Sequence, residues 1–136
     1  MSASGVRGGM RVSIETGLHD LYKQLSEGKK LEDAPFETMK DIFMLAACLG
    51  YDMGEPRPLD GGQRDIFHWT QFSDRVDVPI LNALAIAETG DIQVLADQEQ
   101  VLRIAEEYAN AGIREIREQL VTEGKQPLWS LVDSLS

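Results

Sequence analysis

The segment 57–75 contains the side chains of this chain that are best suited to contact a ligand. These side chains are Arg57, Arg64, His68, Trp69, Gln71, Phe72 and Arg75. Arginines interleaved with aromatic rings can hold a phosphate group or stack on a nucleic-acid base. Loop-rich segments also carry functional residues more often than the elements around them. We therefore name Arg57, Arg64, His68, Trp69 and Arg75 as candidate partner-binding or nucleic-acid-binding residues.

A structural interpretation competes with this one, and the sequence favours it. Phe67, Trp69 and Phe72 are close enough in sequence to cover one side of a hydrophobic core. The arginines would then pair with neighbouring carboxylates, of which Asp65 and Asp74 are nearest. In that case the segment stabilises the fold and contacts no ligand.

Catalytic groups elsewhere in the chain are few and widely spaced. The pair His19-Asp20 resembles ligands of metal-dependent phosphohydrolases, but such a site needs further ligands and the only other histidine is His68. One cysteine and two histidines cannot complete the usual closed zinc site. Cys48 and His68 would make a nucleophilic pair, yet Cys48 falls in an apolar helix, where a thiol is usually a small hydrophobic residue. We predict no catalytic residue, no metal and no cofactor.

Four aspartates offer the remaining metal hypothesis. They are Asp60, Asp65, Asp74 and Asp77. Such carboxylates can hold magnesium together with a phosphate substrate, but nuclease sites of this type usually add a lysine, and the chain has none between Lys40 and Lys125. Turn and helix-cap carboxylates explain the same residues. The chain also has no Walker or dinucleotide-binding fingerprint.

The charge of the chain limits the partners that it can attract. Thirteen basic and 23 acidic side chains in 136 residues give a net charge of −10. A field of this sign repels phosphate backbones and disfavours broad electrostatic attachment to DNA. The excess of acid favours a solvated, solubilising surface; a face for a basic partner protein is the alternative.

Length and composition indicate one cytoplasmic domain. A chain of 136 residues matches the size of a single domain. Its single cysteine excludes an internal disulfide and fits a reducing compartment. No apolar run approaches the ~20 residues that span a bilayer, and no signal peptide is recognisable. We expect a flexible leader or cloning remnant over residues 1–10 and a single helical domain over residues 11–136.

Apolar residues at helical spacing predict a compact, mainly all-α bundle of about five or six helices. The first helix is expected to begin near Ser13 and to end at Gly28. Its buried face would include Leu18, Tyr22 and Leu25, which recur at spacings of four and three.

The caps of the next two helices are also predicted from the sequence. Thr38 should be the N-cap of the second helix, with Asp41 as its capping-box partner, and Gly50 should be a left-handed C-cap. Asp77 should be the N-cap of the third helix, which stops at Gly90.

The last part of the chain is predicted to be helical as well. Asp91 should cap a short turn, and Asp97 should open the longest helix. Gly112 lies within that helix and indicates either a break or the close approach of a neighbour. Residues 128–135 are expected to form a last short helix that docks on the core.

The loop-rich insertion over residues 51–75 interrupts the helical pattern. Glycines and prolines forbid a long helix there, and Asp60-Gly61-Gly62 is a strong turn signal. Residues 57–59 could pair across this turn with residues 66–69 as a minor β-hairpin.

Several short segments of the chain, taken together, resemble a known family. They are Lys40-Asp41, Ala46-Ala47, Gly50-Tyr51, Arg57-Pro58-Leu59, Ile66-Phe67, Leu84-Ala85, Ala87-Glu88-Thr89-Gly90-Asp91 and Glu106-Glu107-Tyr108-Ala109-Asn110-Ala111-Gly112. In order and spacing, residues 36–121 resemble the small bacterial family called DNA phosphorothioation-associated protein 4. The amino-terminal 35 residues and the segment around Trp129 fall outside this resemblance.

The resemblance implies a context and no catalytic residues. Members of the family accompany systems that replace a non-bridging phosphate oxygen of DNA with sulfur, and restriction systems that attack DNA lacking this mark. The expected function is a non-enzymatic accessory or regulatory subunit whose partners are other proteins of such a system. DNA contact would be local or indirect, and mimicry of nucleic acid by the acidic surface ranks lower.

Two further hypotheses stay open. One is a small DNA-binding or DNA-cleaving module that uses the arginines of segment 57–75. The other is a plain helical dimerisation domain, so the sequence leaves homo-oligomerisation open.

Overall fold

The computed structural model describes residues 9–27, 36 and 38–123, and of residues 121–123 the backbone alone. Its helices are α1 (His19–Glu27), α2 (Met39–Met53), α3 (Asp77–Thr89) and α4 (Gln98–Glu123). Its strands are β1 (Arg11–Glu15) and β2 (Gln63–His68), and short 3₁₀ turns cover Thr16–Leu18, Trp69–Gln71 and Ile92–Ala96. The mainly helical prediction is confirmed. The described residues hold four helices against the predicted five or six, and the predicted helix over residues 128–135 lies outside them.

Helices α2 and α4 form the centre of the molecule and touch backbone to backbone. A Cβ atom at Gly112 would lie 1.8 Å from the Ala46 carbonyl oxygen, and one at Gly50 would lie 1.9 Å from that of Tyr108. Because Ala46 faces Gly112 and Gly50 faces Tyr108, the two helices run antiparallel. Of the two alternatives that the sequence leaves open at Gly112, a break or a close approach, the structure has the close approach.

The prediction of a C-cap at Gly50 is wrong. Helix α2 continues to Met53 and ends at Gly54, whose φ of 88° is the left-handed conformation that glycine adopts readily. Gly50 is buried inside the helix and is needed for the contact with α4. Gly50 and Gly54 could each end the helix as judged from the sequence. The packing of Gly50 against α4 makes Gly54 the actual end.

The amino-terminal prediction is also wrong, because residues 11–15 form a strand. Val12 and Ile14 are buried while Arg11 is exposed, which is the alternation of a half-buried strand. Helix α1 begins later, at His19, although its predicted apolar face is confirmed by the burial of Leu18, Tyr22 and Leu25.

The strand β2 pairs with β1 and not with residues 57–59. The antiparallel register joins Val12 to Phe67 and Glu15 to Gln63, with an irregularity between Val12 and Ser13. The Arg57 N–H donates to the Glu107 carbonyl of α4 at 2.9 Å instead. The predicted hairpin therefore has one correct strand and the wrong partner.

Most helix caps lie where the sequence places them. Thr38 accepts a hydrogen bond from the Asp41 N–H, and Asp91 accepts one from Gln93. Gly90 adopts a φ of 68° after α3. Asp97 Oδ1 accepts from the Gln100 N–H at the start of α4. These caps are local in sequence, so residue type and spacing predict them.

The start of α3 differs by one residue from the prediction. Val76 is the N-cap, and Asp77 is the first helical residue. The Ser73 hydroxyl accepts hydrogen bonds from the N–H groups of Val76 and Asp77, and Asp77 Oδ2 accepts from the Ser73 N–H in return. Serine and aspartate thus cap each other.

The amino-terminal end of the described chain contributes to the core. Met10 is buried, and its carbonyl accepts a hydrogen bond from the Trp69 N–H at 3.0 Å. Of the leader expected over residues 1–10, residues 1–8 lie outside the described residues. No helix in the described part of the chain is long and apolar enough to span a membrane.

Candidate functional site

The aromatic residues of segment 57–75 belong to the core. Trp69 is 3% exposed, and its ring centroid lies 5.2 Å from that of Phe72 in an edge-to-face arrangement. Phe67 and Phe72 also pack on Phe43 of α2. Trp69 is therefore placed to stabilise the fold and cannot stack on an external base in this conformation.

The arginines of the segment are exposed, as ligand contact requires. The ion pairs among the described residues join Lys40 to Asp41 and Asp77, and Arg114 to Glu15. None of the exposed arginines, Arg57, Arg64 and Arg75, takes part in them. The predicted pairing of these arginines with Asp65 and Asp74 is therefore absent there.

The candidate residues do not gather in one place. Arg64 and His68 lie on β2, opposite Ile14 and Arg11 of β1. Arg75 lies in the turn that precedes α3. Arg57 lines an open groove of about 540 Å³, and the other four candidates do not line it.

The groove runs between the end of α2, the chain that follows it and the second half of α4. Its lining residues are Met53, Glu55, Pro56, Arg57, Ala111, Arg114, Glu115, Arg117 and Glu118. Arg114 and Arg117 are not among the candidates predicted from the sequence. Their spacing of three places them on one side of a helix, but only the fold brings Arg57 beside them.

A polar network holds this groove in shape. Glu15 of β1 accepts hydrogen bonds from Arg114 Nη2 at 2.6 Å, Asn110 Nδ2 at 2.9 Å and the Asp60 N–H at 2.9 Å. Burial raises the pKa of Glu15, but these hydrogen bonds and the charge of Arg114 outweigh it and hold the pKa below its ordinary value. Glu15 is therefore an ionised anchor for α4 and for the loop at Asp60.

Asn110 extends the network to the backbone beside Arg57. It is 4% exposed, and its Nδ2 atom also lies 3.1 Å from the Arg57 carbonyl and 3.2 Å from the Pro58 carbonyl. A buried amide that meets carbonyl acceptors fixes the chain that carries them. The position of Arg57 on the groove is thus set by Asn110.

Glu106 forms a second polar contact between α4 and β1. Its Oε2 atom accepts the Ser13 N–H at 2.8 Å, where the pairing of β1 with β2 is irregular. Burial raises the pKa of Glu106 to about 7; the charges of Asp65 and Glu107 add to the rise, while the Ser13 hydrogen bond and Arg103 oppose it.

The metal and nucleophile hypotheses gain no clustered groups from the fold. Within the described ranges, no group of three or more His, Cys, Asp or Glu side chains could hold a metal ion. Asp77 is instead paired with Lys40 at 2.8 Å, and Asp65 accepts from the Ser13 hydroxyl at 2.7 Å. Cys48 lies in the apolar helix α2, as predicted, but at an exposed position.

A family comparison identifies the group to which the sequence is related. The family described as DNA sulphur modification system-associated protein 4 has a model that matches residues 11–136. The chain belongs to this family. The match confirms the resemblance and extends beyond the predicted residues 36–121, so β1, α1 and the segment around Trp129 belong to the family region.

The family description associates its members with a DNA sulphur modification system. Within the family region, Glu15, Asn110 and Arg114 form the network beside the groove. Searches of curated proteins and of solved structures found no match to this chain.

Proposed function

We propose that this protein is a non-enzymatic accessory or regulatory subunit of a bacterial phosphorothioation-linked restriction system that defends against phage. It would act in the cytoplasm through protein–protein contacts with other members of the system. The observation that carries this proposal is membership of a family described as associated with DNA sulphur modification, over residues 11–136.

The way the polar groups are used supports an accessory role. Asp77 and Asn110 are buried, the side chain of Glu15 is 12% exposed, and each of the three makes hydrogen bonds inside the fold. Functional groups that turn over a substrate need access to it in addition to such positioning. These residues stabilise the scaffold on which a contact surface lies.

The groove is the best candidate for that contact surface. It is concave, and its rim carries the exposed side chains of Arg57 and Arg117 together with Glu55 and Glu118. Exposed charges of both signs around a concave surface select partners by electrostatic complementarity. The preformed network below the rim means that a partner would meet an ordered surface.

Affinity capture from the native host tests the proposal. Tagged protein should retain other proteins of the sulphur modification or restriction system, and the double variant Arg57→Ala with Arg117→Ala should retain less of them. Arg103→Ala, an exposed arginine of α4 outside the groove lining, should capture as much as the unchanged protein. Consistent absence of system proteins from the unchanged sample would count against the accessory role.

A second candidate function is a small DNA-binding or DNA-cleaving module. It is favoured by the exposure of Arg57, Arg64 and Arg75 and by the lack of ion pairs from them to carboxylates of the described residues. This hypothesis predicts duplex binding that weakens steeply as salt rises. If the triple alanine variant of these arginines bound modified and unmodified DNA as the unchanged protein does, the DNA module would be rejected.

A further inference from the structure

Helix α3 is apolar on both of its sides. One side, with Leu81, Leu84 and Ala85, is buried in the core. The other side carries an exposed row, which we call the α3 stripe: Val76, Ile80, Ala83 and Ala87. Spacings of three and four residues place Ile80, Ala83 and Ala87 above one another along the helix, and Val76 precedes them as its N-cap.

The stripe is an unusual surface for this chain. Val76 is 60% exposed and Ile80 is 36% exposed, and no charged residue occurs between Asp77 and Glu88 in a chain of net charge −10. A helix that is hydrophobic all round is normally covered on all sides. Contiguous exposed apolar surface usually marks a contact.

The course of α4 brings the carboxyl-terminal residues towards the stripe. Helices α2 and α4 are antiparallel and cross where Ala46 faces Gly112. The eight residues of the chain before Ala46 and the eight residues after Gly112 therefore extend about 12 Å from the crossing point in the same direction. The last turns of α4 thus lie alongside the first turn of α2. There Lys40 pairs with Asp77 at 2.8 Å, at the start of α3.

The sequence beyond α4 has the composition that the stripe requires. Residues 124–136 lie outside the described residues. Their apolar members are Leu128, Trp129, Leu131, Val132 and Leu135, at the spacing of one helical face, and Asp133 is the only charge after Lys125. The connector of residues 124–127 can reach about 13 Å, and the eight residues 128–135 as a helix would cover about 12 Å. The stripe, from Val76 to Ala87, measures about 16 Å on the same scale.

We propose that residues 128–135 pack against the α3 stripe of the same chain. The contact buries two uncharged apolar faces together and removes the exposed patch from the surface. It is independent of the accessory function, because it concerns the chain alone.

Engineered disulfides test this placement in the full chain. Ala83→Cys with Val132→Cys, in a Cys48→Ser background, should form an intrachain disulfide under mild oxidation, seen on a non-reducing gel and located by mass spectrometry. The control pairs Val132→Cys with Lys23→Cys, an exposed position of α1, and should stay reduced. Equal cross-linking in both pairs, disulfide-linked dimers through position 83, or no cross-link at all would overturn the proposal.

Trp129 gives a second test that needs no new cysteine. Ile80→Asp would place a charge in the stripe, so residues 128–135 should leave it and Trp129 should become accessible to solvent. Quenching of tryptophan fluorescence by acrylamide should then increase. Trp69 is buried and should not contribute to this change. Ile92→Asp changes a 65% exposed isoleucine outside the stripe and should leave quenching unchanged. The same response from both variants, or from neither, would overturn the placement.

Discussion

Helix α4 meets its two neighbours in opposite ways. Against α2 it makes a close-packed contact in which Gly50 and Gly112 let backbone meet backbone. Against β1 it makes a polar contact through Glu106, Asn110 and Arg114. The first contact depends on the absence of side chains and the second on exact matching of charges and hydrogen bonds. The packing of α4 is therefore sensitive to side-chain size where it meets α2, and to the protonation of its polar partners where it meets β1.

The largest effect is expected where backbone meets backbone. Gly112→Ala places a Cβ atom 1.8 Å from the Ala46 carbonyl oxygen, so the helices must separate, at about 3 kcal/mol or more of unfolding free energy. Urea denaturation followed by circular dichroism measures this loss. Gly17→Ala, where a Cβ meets nothing within 4 Å, is the control; equal stability of the two variants would show that the crossing tolerates side chains.

The next effect is expected in the polar contact. Arg114→Met keeps the apolar stem but leaves Glu15, 12% exposed in its side chain, without its cation. Removing one partner of a poorly solvated pair should cost about 2–3 kcal/mol. Arg117→Met, an exposed neighbour on α4, should cost little. A comparable loss in both would mean that the ion pair with Glu15 contributes no specific stability.

Glu106 should make the stability of the protein fall as the pH rises. Its pKa is about 7 in the folded chain against an ordinary value of 4.5, so the folded state holds the proton more tightly and stability is lost between these two values. Glu106→Gln stays neutral and keeps an acceptor for Ser13. It should resemble the unchanged protein below pH 4.5 and be more stable at pH 8, by on the order of 2 kcal/mol.

Urea denaturation at several pH values checks this difference. Glu118→Gln, an exposed glutamate of α4, serves as the control and should show no such pH-dependent gain. A stability difference between Glu106→Gln and the unchanged protein that does not grow from pH 5 to pH 8 would contradict a half-buried, proton-binding Glu106.

The smallest effect is expected at a cap outside both contacts. Thr38→Ala removes the acceptor for the Asp41 N–H, 3.2 Å away, and should cost about 1 kcal/mol. Thr70→Ala, at an exposed position, is the matched control in the same urea titration. A loss from Thr38→Ala as large as that from Gly112→Ala would mean that caps matter as much as the central packing.

The sequence predicted what depends on neighbours in the chain. The caps at Thr38, Asp91 and Asp97 follow from side chains that reach the next turn. The apolar rows of α1 and α4 follow from helical periodicity. The strand β1 was missed because five residues with Val12 and Ile14 turned inward give too short a pattern to outweigh the helix that follows.

The candidate site was less predictable, because its parts are distant in sequence. Glu15 contacts Asn110 and Arg114, which lie 95 and 99 positions away in sequence. The spacing of residues within one segment cannot predict a contact between segments so far apart. Segment 57–75 brings aromatic and basic residues together in sequence. The fold then separated them, with Trp69 in the core and Arg57 on the groove.

The shared use of Arg114 would couple the groove to the attachment of strand β1. Its guanidinium lines the groove and also holds Glu15 of β1. A ligand that drew this group towards itself would loosen the amino-terminal strand, and a partner that pulled the strand away would free the guanidinium for the ligand. Thermodynamic linkage would make the two effects equal in free energy. Occupancy of the groove by a ligand would therefore report how firmly strand β1 is attached to α4.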